Sequence, residues 1–291
     1  MVSLSLLANQ IIAGISIGSW LFLVAVGLSL IFGVLDVLNF AHGALFMIGA
    51  YVTVVVVGSV GNFWVGILLA GLAVGVIGAI MEAGFIRRVY DQEPLDQLLL
   101  TFAFVLMLTD AVRTVFGSGQ YSIGRPAGFG FRLSLAEGIN VGGYRLFVIV
   151  MAIVVMGALF AVLKLTNIGR VTRATSSDRD MASLLGINVP RLYTGVFFAG
   201  CVLAGIGGAL AAPLQTVTPS LGDQVIINAF VVAVIGGLGS FVGAFVGAML
   251  IGLLIAVGSL VAPGAGQLFP FVAMIGVLVW RPEGLFGGAE V

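Results

Sequence analysis

The stretch Arg170-Val-Thr-Arg173-Ala-Thr-Ser-Ser177-Asp178-Arg179-Asp180-Met181-Ala182-Ser-Leu184-Leu185-Gly186-Ile-Asn-Val-Pro190-Arg191 sets the reading of the whole chain. It holds four arginines, two aspartates and a run of hydroxyl side chains, in a sequence that is otherwise almost entirely apolar. It cannot lie in hydrocarbon, where a charged side chain costs about 2.5–3.5 kcal/mol even on insertion scales. Its own signals predict a short helix. Ser177 followed three residues later by Asp180 has the form of a capping box. Gly186 supplies a stop and Pro190 bars continuation. A short, capped, charged helix between two apolar runs is an exposed device for touching a partner.

Working outward, composition fixes the class. The chain has 291 residues, 60% hydrophobic and only 8% charged, with a mean hydropathy of +1.24. Soluble domains carry about 25% charged residues, so lipid must be the solvent for most of this surface. Net charge is zero and no basic patch points to nucleic acid. The single cysteine, Cys201, lies in an apolar run and leaves no internal disulfide framework. No Lys or Arg precedes Arg87, so the first apolar run lacks the charged flank of a signal peptide and is expected to be a retained span.

Apolar runs cover about residues 6–34, 44–60, 63–86, 97–117, 146–166, 192–212 and 267–280. The region 225–260 is too long for one straight span and is broken at Gly236-Gly237-Leu-Gly239-Ser240, so it reads as two helices with a tight glycine break. Gly61-Asn62 is a turn, and the charged group Arg87 to Asp96 is another. A polar, glycine-rich connection over 118–145 carries Arg125, Arg132 and Glu137. The expectation is an all-α, polytopic transmembrane bundle of about eight to ten spans with broken or re-entrant helices. It forms a single transmembrane domain over 1–291, with a polar loop at 167–191. Lys164, Arg170, Arg173, Arg179 and Arg191 make that loop the more basic side, so the positive-inside rule places it in the cytoplasm. The same count puts Arg87-Arg88 and Arg281 inside and the N-terminus outside.

Every connection is under about 30 residues, which leaves no room for a catalytic or receptor head. A nucleotide-binding P-loop needs a lysine after a glycine-rich turn. The only lysine, Lys164, follows Ala-Val-Leu, so nucleotide is not used by this chain on that route. Paired histidines and HExxH are absent, and the lone His42 has no partners for a metal. No catalytic or metal residues are expected and the chain is not read as an enzyme.

Two groups of polar or flexible residues interrupt the apolar runs. Asp36, Asn39 and His42, followed by Gly43, fall at i, i+3 and i+6; on a helix they would share a broad face. They line a substrate route, satisfy a helix break, or mark the cytoplasmic interface. Gly236, Gly237 and Gly239 either expose backbone to a pathway, as in broken transporter helices, or allow close helix contact. Asp110 and Arg113, three apart, can pair on one helix face, as a gate or as a neutralised structural pair near the outer interface.

Three blocks carry a family resemblance. Gly27-Leu-Ser-Leu-Ile-Phe-Gly33-Val-Leu-Asp-Val-Leu-Asn39-Phe-Ala-His42-Gly43-Ala-Leu-Phe-Met-Ile-Gly49-Ala-Tyr51 resembles the N-terminal signature of LivH-type permeases, the membrane subunits of branched-chain amino acid ABC transporters. Val234 to Ala248 and the ending Trp280-Arg-Pro-Glu-Gly284-Leu-Phe-Gly are similar to further blocks of that family. Asp180-Met181-Ala182, three residues, then Gly186 is similar to the Glu-Ala-Ala-x-x-x-Gly element with which such permeases dock on their ATPases. Here Asp replaces Glu and Met replaces the first Ala.

The resemblance implies a permease subunit in a bacterial inner membrane, importing branched-chain or related amino acids; relatives of this kind also carry amides or urea. Ser177, Asp178, Arg179, Asp180, Met181, Ala182, Leu184, Leu185 and Gly186 would form the ATPase-coupling element. It also implies partners: a second related permease, two cytoplasmic ATPase subunits holding ATP and Mg, and an extracytoplasmic binding protein, with no cofactor in this chain. A self-contained secondary transporter or channel is the alternative of a different class.

Overall fold

The computed structural model describes residues 4–136 and 138–287; Glu137, counted above in the polar connection, lies outside them. In chain order the elements are α1 (Leu4–Leu35), α2 (His42–Val60), α3 (Phe63–Gly84), α4 (Pro94–Phe116), β1 (Arg132–Ala136), β2 (Ile139–Gly142), α5 (Gly143–Leu165), α6 (Asn167–Ser177), α7 (Arg179–Leu184), α8 (Val189–Ala211), α9 (Leu221–Gly236), α10 (Phe241–Val261) and α11 (Phe269–Trp280). Seven of the helices, α1 to α5, α8 and α10, are long and apolar enough to cross a membrane, and α9 and α11 are shorter apolar helices. The seven candidate spans are one fewer than the expected eight to ten, the two shorter apolar helices making up the difference among the described residues, and the fold is an all-α polytopic bundle.

Local chemistry sets the boundaries. Gly61, at φ 71°, closes α2, and the Asn62 side chain accepts the amides of Trp64 and Val65 to open α3. Pro94 starts α4, where its missing N–H costs nothing. The 225–260 region does split: α9 ends at Gly236, and Ser240 caps α10 by accepting the Gly243 amide at 3.1 Å. The polar connection before α5 holds a feature that composition did not announce, an antiparallel hairpin of β1 and β2. The Asn9 side chain ties α1 to it, donating to the Gly138 carbonyl and accepting from the Asn140 amide.

The core is built on α1, whose closest associations are with α10 and α8; α8 also packs on α2 and α3. Backbones rather than side chains meet at these crossings. A Cβ on Gly43 would run into the Gly222 carbonyl of α9, and one on Gly236 would strike the backbone of Gly243. Small residues earn their place here because two helices dissolved in lipid gain association energy from close van der Waals contact, not from hiding apolar surface. By contrast α4 and α5 keep most of their surface outward.

The end of the chain folds back on the glycine break. The amides of Leu285 and Phe286 donate to the carbonyls of Ile235 and Gly236 at 2.8 and 3.0 Å. These are carbonyls that the C-terminus of α9 leaves open, so the tail completes that helix end.

Overpacking a tight crossing typically costs about 1–3 kcal/mol. Gly43→Leu is therefore expected to lower the melting temperature of the purified protein in detergent. Gly58→Ala, in the same helix where nothing lies within 4 Å, is expected to leave it unchanged or slightly raised; heating curves of the two variants check this.

Candidate functional site

The charged segment forms two helices. α6 lays Gly169, Thr172 and Thr175 against the bundle, and the Arg173 guanidinium donates to the Leu163 carbonyl at the end of α5. α7 follows. The sequence reading began this helix at Ser177, but Ser177 closes α6, and the Asp178 carboxylate is the N-cap of α7, accepting the Met181 amide at 2.9 Å. Both residue types cap well; the bend between the two helices places Asp178 at the turn. Gly186, at φ 85°, ends the element. Asn188, unforeseen, caps α8 through the Arg191 amide, and Pro190 lies in the first turn of that helix.

On α7 only Ala182 is buried, at 3% exposure, while Met181, Leu184 and Leu185 are 53%, 82% and 75% exposed. Asp180 and Gly186 also face outward. Arg179 turns back to its own chain: it pairs with Asp91 at 3.1 Å and sits over the Tyr193 ring.

Behind α7 lies a network that sequence reasoning missed. Glu82, at the end of α3, is fully buried. Its carboxylate accepts a bidentate pair from Arg87 at 3.0 and 2.9 Å, the Tyr90 hydroxyl at 2.9 Å and the Thr194 hydroxyl at 2.7 Å. Arg87 also donates to the Pro190 carbonyl at 3.2 Å. Burial, then the neighbouring carboxylate, pushes the Tyr90 phenol well above its usual range, so it stays a donor. The network ties α3 and the turn after it to the first turn of α8, directly beyond Gly186. The available signal was a lone carboxylate inside an apolar run, which is expensive unless paired.

The pathway candidates are not brought together. Asp36 does not share a helix with Asn39 and His42: it ends α1 at φ 54° and is exposed, and α2 begins only at His42. Asn39 and His42 are buried, and the side-chain amide of Asn39 has no protein partner. Gly43 is spent on the contact with Gly222, Gly236 on that with Gly243, Gly237 on that with Gly287, and Gly239 on that with Gly33. Asp110 and Arg113 form no ion pair; with Asp223 they line a separate recess.

A cavity of about 510 Å³ opens instead at the other end of the bundle, between α1, α9, α10 and α11. Ile17, Trp20, Ile255 and Phe271 give it an apolar wall. Ser16, Gln215, Gln224, Asn228 and Gln267 supply neutral hydrogen-bonding groups. The hydroxyl of Ser16, 2% exposed, and the amide nitrogen of Gln215 have no protein partner.

A polytopic helical bundle with a polar-lined cavity at one end and a short helix exposing apolar side chains at the other has the build of a membrane permease. Comparison with known proteins makes this specific. Residues 10–278 match the model of the branched-chain amino acid transport system / permease component family, and the chain belongs to that family. It is 28% identical to the high-affinity branched-chain amino acid transport system permease protein LivH of Salmonella typhimurium, over 97% of this chain and 96% of that one. It is 29% identical to BraD of Pseudomonas aeruginosa, with the same coverage. Identity to the LivM permease of Salmonella typhimurium is 25%, over 90% of this chain and 67% of that one. No solved structure matches.

The two ion pairs differ in weight. Removing one partner of a buried pair costs about 3–5 kcal/mol, whereas an exposed pair contributes about 0–1 kcal/mol. Glu82→Ala is expected to destabilise the detergent-solubilised protein severely and Asp91→Ala barely, read as the temperature at which each loses its monodisperse elution peak.

Proposed function

We propose that this chain is the permease subunit of an ABC importer for branched-chain or related amino acids in a bacterial inner membrane. Its partners are a second, related permease, two cytoplasmic ATPase subunits that hold ATP and Mg, and an extracytoplasmic binding protein. The observation that carries the reading is α7, a capped helix that exposes Met181, Leu184 and Leu185 and whose Arg179 reaches Asp91 in the turn after α3 and the Tyr193 ring of α8. A partner groove covering Met181, Leu184 and Leu185 would remove an apolar patch from water. Sequence similarity to both LivH and LivM supports a pair of like permeases facing each other.

In this reading the ATPases close on ATP and part after hydrolysis. α7 follows that movement through the apolar face. The Glu82–Arg87–Thr194 network passes it to α3 and α8 as a rigid pair, because a fully satisfied buried carboxylate does not yield in small steps. The bundle then alternates between two arrangements whose populations are set by nucleotide and by the loaded receptor. With α6 and α7 in the cytoplasm, the 510 Å³ cavity lies on the extracytoplasmic side and forms the outer part of the route.

Gly186→Pro cannot adopt the left-handed backbone that residue 186 holds, and Asp180→Arg reverses charge on the exposed face. Both variants are expected to insert normally, while uptake per ATP hydrolysed by the reconstituted complex drops at least about fivefold, the lower range of typical coupling energies. Unchanged uptake in both would remove the docking role. Uptake by this chain alone, without ATPases, would make it a self-contained carrier instead.

A further inference from the structure

A second recess adjoins the cavity. It encloses about 300 Å³ and is lined by Asn9, Arg125, Arg132, Asn140, Tyr144 and Arg145, with Gly142. Two of its neutral side chains are already engaged: Asn9 with the Gly138 carbonyl and the Asn140 backbone amide, and the Tyr144 hydroxyl with the Leu210 carbonyl at 2.8 Å. Its three arginines are not. Among the described residues the ion pairs are Arg87 with Glu82 and Arg179 with Asp91, so no described carboxylate answers Arg125, Arg132 or Arg145, all three of them exposed. A quarter of the chain's twelve basic side chains thus gather unpaired around one small recess.

Arg145 is the residue common to both spaces, since it also lines the 510 Å³ cavity. Beyond it the cavity carries no other formal charge among its lining residues. What it offers is an apolar wall, the unpartnered Ser16 hydroxyl and the unpartnered Gln215 amide. Guanidinium groups bind carboxylates through two parallel hydrogen bonds, and unpaired positive charge in a concave site raises the local concentration of anions.

We propose that the arginine recess is the carboxylate subsite of the route, with Arg145 the residue that hands the carboxylate from the recess into the cavity. The fitting ligand is a small monocarboxylate or zwitterion with an apolar portion. Its carboxylate meets Arg145, its apolar portion lies along Trp20 and Phe271, and an ammonium group finds only neutral oxygens such as that of Ser16. Molecules bearing a net positive charge are disfavoured by the arginines, and neutral amides or urea leave the guanidiniums unanswered. The proposal rests on the permease reading and narrows its cargo.

The test uses the whole transporter in proteoliposomes, with ATP supplied to the ATPase side and leucine-loaded binding protein outside. Arg145→Gln is expected to lower leucine uptake at least about tenfold, roughly what one lost charge-assisted pair is worth, and Arg145→Lys to restore part of it. Receptor-stimulated ATP hydrolysis is expected to persist in both. Arg125→Gln with Arg132→Gln is expected to cut uptake less at saturating receptor and to weaken its dependence on ionic strength. Wild-type uptake in Arg145→Gln would overturn the proposal. Joint loss of uptake and of receptor-stimulated hydrolysis would also overturn it, marking the recess as a receptor-docking surface. Failure of the wild-type complex to import leucine or any other aliphatic amino acid is a different result, because it sinks the permease reading itself.

Discussion

Backbone-to-backbone contact between helices is the constraint on which this structure depends. In water a bundle holds together by removing apolar side chains from solvent; in lipid that drive is absent. Here the crossings are made where glycines let carbonyls and Cα atoms touch, as at Gly27 with Gly200 and Gly43 with Gly222. The demand explains a composition with 43 glycines, which would weaken helices in water. It also explains why the glycine break of the 225–260 region is not a bare hinge. Gly236 and Gly237 are occupied by α10 and by the returning tail, so flexibility there is used for assembly.

Against this tight centre, charge is placed sparingly and by location. The buried carboxylate of Glu82 is surrounded by donors and acts as a fastening between α3 and α8. The exposed pair of Arg179 and Asp91 only orients α7 on its base. The three arginines at the opposite end have no such partners among the described residues. One end of the molecule thus spends its charge on rigidity and the other keeps it available.

Much of this was legible in the sequence because it is local. Apolar runs, the Gly61-Asn62 turn, Pro94 and the Gly236–Ser240 break are read one segment at a time, and each marks a real boundary. The shift from Ser177 to Asp178 as the cap is an error of one residue between two good capping types, decided only by where α6 bends into α7. The triple Asp36, Asn39 and His42 would share a face only if the helix continued, and Asp36 ends it. The cavity was invisible for a different reason. Its lining comes from separated segments and from neutral Ser, Gln and Asn side chains, which carry no recognisable spacing. α6 escaped notice because its buried face is made of Gly169, Thr172 and Thr175, too small and too polar to show as an apolar stripe.

The partnership of α1 with α10 has a consequence for how the protein is made. Gly14 and Gly18 of α1 touch the backbone of α10 at Gly252 and Ala248, more than two hundred residues further along the chain. A ribosome adding about 5–20 residues per second leaves α1 without that partner for on the order of ten seconds or more. Throughout that interval lipid must surround the very face that later becomes the centre of the molecule. A helix destined for the core of a water-soluble protein need only be apolar where it will be covered. This one must first survive as a solitary span, so most of its sequence is apolar all round and the face to be hidden is marked by small residues such as Gly14 and Gly18.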